Sequence, residues 1–125
     1  MLQSVLGRFL GNQQLVKKRL EIYYRSTGKS PFINWFNKLR DKKIKANIAV
    51  RLDYLKLGHY GDCKRIDKAI YELRIHTGAG YRIYFGEYKT SIILLLIGGS
   101  KRTQKRDIEK AKQYWQAFNE EISHD

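Results

Sequence analysis

The sequence predicts an α+β fold, a small twisted antiparallel sheet with an N-terminal helical hairpin and a C-terminal helix. Three observations predict it. Apolar residues recur at helical spacing in the first half of the chain and again near its end, and between these stretches they alternate with a period of two. Glycines at positions 28, 58, 78, 80, 98 and 99 separate the stretches. Helical and strand patterns that are grouped along the chain fit an α+β arrangement better than a strictly alternating one. With 125 residues, 42% of them hydrophobic and 13% aromatic, the chain suits one domain with a true core.

Residues 1–19 form an N-terminal extension in which Leu2, Val5, Leu6, Phe9 and Leu10 are spaced as on an amphipathic helix. Leu20, Ile22 and Tyr24 then alternate with Glu21, Tyr23 and Arg25, the period of a strand with one buried face, until Gly28. Ser30 followed by Pro31 signals a helix start, since the serine hydroxyl accepts from free N–H groups and proline at the first position lacks one. Its apolar stripe is Phe32, Trp35, Phe36 and Leu39, and a second helix after Asp41 presents Ile44, Ile48, Leu52 and Leu55 up to Gly58. Together they predict a hairpin with a basic outer surface.

Tyr71, Leu73 and Ile75 form one face of the next strand and Glu72, Arg74 and His76 the other. Thr77-Gly78-Ala79-Gly80 predicts a hairpin turn, after which Tyr81, Ile83 and Phe85 face inward and Arg82 and Tyr84 outward. The continuous apolar run from Ser91 to Ile97 reads as a strand covered on both sides, closed by Gly98-Gly99-Ser100. Ile108, Ala111, Trp115 and Phe118 mark a last helix able to pack on the sheet. The domain is expected over residues 20–119, with 120–125 as a tail.

Lys and Arg number 25 against 12 Asp and Glu, a net charge of +13, which attracts polyanions and makes nucleic acid the first partner to consider. One cysteine, Cys63, rules out an internal disulfide framework, and His59, His76 and His124 are too scattered to suggest a metal site. The longest apolar run is far shorter than the roughly 20 residues of a membrane-spanning helix, so no membrane role is expected. The opening residues lack the pattern of a secretory signal, and a cytoplasmic protein without cofactor is the expectation.

Because alternate residues of a strand share a face, Glu72, Arg74 and His76 stand in a row, with Arg82 and Tyr84 brought alongside by the hairpin. Lys101 and Arg102 follow the last strand, and Gln104, Lys105 and Arg106 open the helix beyond it. Glycine turns and helix starts offer N–H groups suited to phosphate oxygens.

The segments Tyr71-Glu72-Leu73-Arg74-Ile75, Gly78-Ala79-Gly80-Tyr81-Arg82-Ile83-Tyr84-Phe85 and Leu95-Leu96-Ile97-Gly98-Gly99-Ser100-Lys101, followed by Gln104, Arg106-Asp107-Ile108 and Ala111, resemble the RelE/ParE toxin superfamily. Within it they look like the HigB-type addiction module killer proteins. The resemblance covers residues 20–118 and implies the RelE-like version of the fold above. It further implies the toxin of a type II toxin-antitoxin module, a ribosome-dependent mRNA endoribonuclease that inhibits translation and growth. Its partners would be a cognate antitoxin encoded by an adjacent gene, the ribosome and mRNA, with operator DNA reached only through the antitoxin complex. Two other readings stay open: a ParE-like, non-enzymatic inhibitor of DNA gyrase, and a degenerate module that binds only antitoxin and operator.

In the implied reaction the 2′-hydroxyl attacks its adjacent phosphate, which needs a proton acceptor, cations for the charge growing on phosphorus and a donor for the departing 5′ oxygen. Arg82 matches the arginine of the family's Gly-Tyr-Arg strand and is assigned to the phosphate. Arg74 stands where RelE has a catalytic lysine, and Lys101-Arg102 match the Lys-Arg of RelE's last loop, whose arginine serves the leaving group. Arginine is a poor proton acceptor, which leaves Glu72, His76 and Asp107 as candidates for the base. Tyr84 or Tyr81 would supply base stacking. The resemblance sets the hairpin's outer surface against ribosomal RNA, with Lys38, Arg40, Lys42, Lys43, Lys45 and Arg51. Lys105 and Arg106 extend the RNA-binding set from the opening of the last helix.

Overall fold

The computed structural model describes residues 17–124. In chain order the elements are β1 (Arg19–Ile22), α1 (Pro31–Lys38), α2 (Lys42–Lys56), β2 (Cys63–Arg65), β3 (Ile70–Ile75), β4 (Tyr81–Tyr88), β5 (Ile92–Ser100), a 3-10 turn (Lys101–Thr103) and α3 (Gln104–Ser123). The helix expected in the N-terminal extension falls on residues outside this span, apart from Lys17 to Arg19, and Arg19 already belongs to β1. At the other end α3 runs to Ser123, so residues 120–123 are helix and not tail.

Local chemistry sets the helix starts. The Ser30 hydroxyl accepts from the Ile33 N–H at 3.2 Å with Pro31 at the first position, and the Asp41 carboxylate accepts from Lys43 N–H at 2.8 Å. Gly58, at φ 87°, takes the left-handed conformation that ends α2.

The sheet order is β1-β5-β4-β3-β2. β2 to β5 pair antiparallel in succession, whereas β1 lies parallel to β5, which corrects the expectation of a wholly antiparallel sheet. The reason is connectivity. No tight turn joins β1 to its neighbour; α1 and α2 carry the chain from one edge of the sheet to the other, and a crossover of that kind permits parallel pairing.

Helices cover both faces. On one, Phe32 of α1 and Ile44, Ile48 and Leu55 of α2 pack on Leu73, Ile75, Ile83, Phe85, Ile93 and Leu95. On the other, Ala111, Trp115 and Phe118 of α3 pack with Tyr23, Ile70, Tyr84, Leu94, Leu96 and Ile97. Burying this apolar surface on two sides is the main force holding the layers together.

Gly98 and Gly99 do not close β5 but lie inside it, which departs from the turn expected there. A side chain at Gly98 would overlap the Trp35 ring, and one at Gly99 would overlap the Asp107 carboxylate. The glycines therefore serve close approach, not a turn. A bulge opposite Tyr84 and Phe85 skips Leu96 in the pairing, so that Leu96 and Ile97 both join the α3 side and Gly99 comes to face Asp107 of α3.

Candidate functional site

The register aligns Arg74 with Arg82 and Arg82 with Gly99, and the Arg74 N–H donates to the Asp62 carbonyl at 2.9 Å. Asp62, Arg74, Arg82 and Gly99 thus form one row across four chain segments. Two residues along the strands, on the same face, Lys64, Glu72, Tyr84 and Ile97 form another. Two arginines directly opposite each other repel unless an anion stands between them.

Glu72 is that anion, and its side chain is only 1% exposed. Oε1 accepts from Arg74 Nε at 3.0 Å, while Oε2 accepts from the Tyr84 hydroxyl at 3.0 Å and from Gln104 Nε2 at 2.8 Å. Arg82 Nε lies 3.5 Å from Oε2, an ion pair without a hydrogen bond. Burial pushes the Glu72 carboxyl up, but the hydrogen bonds from Gln104, Arg74 and Tyr84 and the charge of Arg82 outweigh it, and the net shift is downward. Glu72 is an ionised strut. Burial, with the neighbouring Glu72 charge, pushes the Tyr84 hydroxyl up, so it stays a donor.

The expectation of an exposed Tyr84 ring is corrected: α3 covers this part of the sheet and leaves the ring fully buried. Glu72 and Tyr84, read from the sequence as an outward polar face, are instead the interior of a polar network closed by Gln104. Arg82 is 12% exposed and Arg74 30%, so each guanidinium is held by its Nε side and open beyond it. The Gly80 carbonyl accepts the Lys101 N–H at 2.8 Å and lies 3.4 Å from Arg82 Nη1, which joins the turn, Arg82 and the start of the 3-10 segment. Lys101 and Arg102 are exposed there. Arg102, Lys105 and Arg106, with Thr103 and Glu109, line a shallow cavity of about 400 Å³.

Asp107 is buried beneath Gly99 and accepts from the Thr103 hydroxyl. His76 is exposed, and its Nε2 pairs with the Asp62 carboxylate. The hydrogen bond from His76 chiefly holds the Asp62 carboxyl below its ordinary value, with the charges of Arg74 and Arg51 assisting. Among the described residues no three His, Cys, Asp or Glu side chains are grouped as metal ligands, and no helix is long and apolar enough to cross a membrane.

The basic residues of α2 divide. Lys42 and Lys43 are exposed, and Lys45 lies half-buried with Nζ 5.3 Å from the centre of the Phe36 ring. Arg51 is not on the outer surface as expected: it donates to the carbonyls of Arg74 at 2.6 Å, Tyr60 at 3.1 Å and Asp62 at 3.4 Å. It braces α2 against the β2–β3 side of the sheet. Sequence reading missed Asp62, whose only signal was a carboxylate beside Gly61, and did not assign Gln104 to the carboxylate it holds.

Residues 34–116 match the family described as Phage derived protein Gp49-like (DUF891). The chain belongs to the Gp49-like family. The match runs from within α1 to within α3 and so contains every residue of the Glu72 network. The chain is also similar to a protein of Haemophilus influenzae described as uncharacterized, 42% identical over 81 residues, which are 65% of this chain and 82% of the relative. Among solved structures, the intact E. coli RelBE toxin-antitoxin complex aligns with a TM-score of 0.43 and 13% identity, over 66% of this chain and 95% of that one.

Proposed function

We propose that the chain is the toxin of a toxin-antitoxin module and acts as an endoribonuclease on ribosome-bound mRNA. The observation that carries this reading is the pair Arg74 and Arg82, fixed side by side by the buried Glu72 carboxylate and joined through Gly80 to Lys101. A phosphodiester whose charge grows during attack by the 2′-hydroxyl is stabilised best by cations that need not reorganise. Arg82 binds the scissile phosphate, Arg74 supports it, and Lys101 or Arg102 serves the departing 5′ oxygen. Glu72 touches neither RNA nor the reacting atoms; it orients both arginines. His76 is the exposed proton acceptor beside them.

Lys105 and Arg106 bind the RNA backbone from the start of α3, and Lys42, Lys43 and Lys45 position the protein on ribosomal RNA. Arg51 has no part in this, its guanidinium being spent on carbonyls. The net charge of +13 fits an antitoxin with an acidic segment laid over the basic surface. The sequence resemblance to HigB-type proteins supports the same reading.

The test is induction of the gene with mapping of RNA 5′ ends, with and without ribosomes, for the natural chain and for Arg82→Ala. New ends that need ribosomes and vanish in the variant are expected. Growth arrest that persists in Arg82→Ala without new RNA ends would favour a gyrase-type target instead.

A further inference from the structure

We propose that Asp62 and His76 form the proton-transfer pair of this site, with His76 taking the 2′-hydroxyl proton and Asp62 acting as the positioning residue that orients it. The inference deepens the ribonuclease reading and rests on it. Asp62 Oδ2 faces His76 Nε2, and Asp62 Oδ1 lies 3.9 Å from Arg74 Nη1. A carboxylate held ionised only accepts hydrogen bonds, so the proton of the neutral imidazole sits on Nε2. That leaves the Nδ1 lone pair as acceptor, and among the described residues no hydrogen bond occupies it. A carboxylate that sets the tautomer and ring orientation of a histidine is a recurring device for a general base.

Placement adds to the chemistry. His76 follows Arg74 by two residues at the end of β3, the spacing that puts both on one face of a strand. Asp62 is the neighbour of Arg74 in the row that continues through Arg82. The pair therefore borders the phosphate-binding arginines, and the His76 side chain is 72% exposed, open to a substrate. The competing acceptors are closed. Glu72 has both oxygens engaged, and Asp107 lies under Gly99. The charged groups around the pair are Arg74 on β3 and Arg51 from α2, whose Nη2 reaches the Asp62 carbonyl at 3.4 Å. Both favour the ionised carboxylate.

In the step itself His76 Nδ1 takes the proton as O2′ bonds to phosphorus and the bond from phosphorus to O5′ breaks. O5′ leaves with a proton from the Lys101 ammonium, giving a 2′,3′-cyclic phosphate and a 5′-hydroxyl. The imidazolium then loses its proton to solvent and Lys101 regains one.

The test compares the natural chain, His76→Ala, Asp62→Asn and Arg82→Ala in single-turnover cleavage of mRNA on ribosomes. His76→Ala is expected to lose about 100-fold in rate or more, with ribosome affinity unchanged and part of the rate restored by added imidazole. Asp62→Asn is expected to lose about 10-fold. A second readout needs no activity: the Asp62 carboxyl, followed by carbon NMR, should titrate below the usual carboxylate range in the natural chain and return toward it in His76→Ala. Cleavage that is lost in Arg82→Ala but normal in His76→Ala would overturn the pair while leaving the ribonuclease reading standing. An Asp62 titration unmoved by His76→Ala would overturn it as well. Absence of cleavage by the natural chain would remove both.

Discussion

Arg74 and Arg82 stand on adjacent strands around a carboxylate that is 1% exposed, whereas Lys42 and Lys43 on α2 extend into solvent and form no ion pair among the described residues. Both regions are basic, yet their charge is held differently. Each arginine faces the same buried anion, Arg74 through a hydrogen bond from Nε and Arg82 through an ion pair, so both guanidiniums are oriented by a carboxylate shielded from water. The lysines sample many rotamers, and salt screens them within about 8–10 Å. Charge needed at one atom has to be built like the first region. Charge that gathers a polyanion can be built like the second.

Removing the anchor should break the contrast most strongly. Glu72→Ala leaves two arginines facing each other without the buried carboxylate they share, and loss of one partner of a buried ion pair costs about 3–5 kcal/mol. Chemical denaturation should register a loss of that order, together with loss of RNA cleavage. Triple substitution of Lys42, Lys43 and Lys45 to glutamate should change stability by only about 1 kcal/mol, because Lys42 and Lys43 are exposed and Lys45 loses no more than its contact with the Phe36 ring. Similar destabilisation in both variants would erase the distinction between the two regions.

Next in size is Arg82→Ala, which should lower cleavage by about 100- to 1000-fold, the usual effect of deleting a fixed group that stabilises developing charge. The fold should survive it, since Glu72 keeps Arg74, Tyr84 and Gln104. A normal cleavage rate in this variant would take Arg82 out of the mechanism.

Acid titration separates the regions again. The folded-state pKa of Glu72 lies below its ordinary value, so its contribution to stability is present above the unfolded value of about 4.3 and is lost as the pH falls through the lower folded value. Stability measured over this range should fall more steeply in the natural chain than in Glu72→Ala. Equal slopes would mean that the Glu72 network contributes nothing through its charge.

The smallest expected effect belongs to the lysines. The triple glutamate variant should bind ribosomes more weakly, and the slope of log affinity against log salt should become shallower by about one unit for each phosphate it no longer binds. Cleavage of bound messenger at saturation should change little. Unaltered ribosome binding would make these lysines a solubility feature, and a collapse of saturated turnover would bring the α2 face into the active site.

Much of the fold is legible from local chemistry. Ser30-Pro31 and Asp41 set the helix starts because their caps act within a few residues, and Gly78 and Gly80 make the β3–β4 turn through positive φ values of 59° and 75°. The alternation through Tyr71 to Ile75 and Tyr81 to Phe85 assigns the two faces of the sheet, and this period is enough to set Arg74 and Arg82 on the same face. Sequence spacing also put Lys101 and Arg102 after the last strand and Lys42 and Lys43 on an exposed helix face.

What covers a face is a different matter, because a polar side chain has the same period whether it meets water or an interior network. Only the packing of α3 decided that Glu72 and Tyr84 are buried and that Gln104 completes their hydrogen bonds. Only long-range pairing decided that β1 runs parallel to β5 and that a bulge at Leu96 turns Gly99 toward Asp107. Arg51 is indistinguishable in sequence from its lysine neighbours, and the fold sets it apart by bringing the carbonyls of Tyr60 and Arg74 within reach of its guanidinium. Asp62 and His76, fourteen residues apart, meet because β2 is laid against β3. Period and capping are properties of neighbours in the chain, and the sequence alone determined them; partners of a charge are neighbours in space, and only the tertiary structure could choose them.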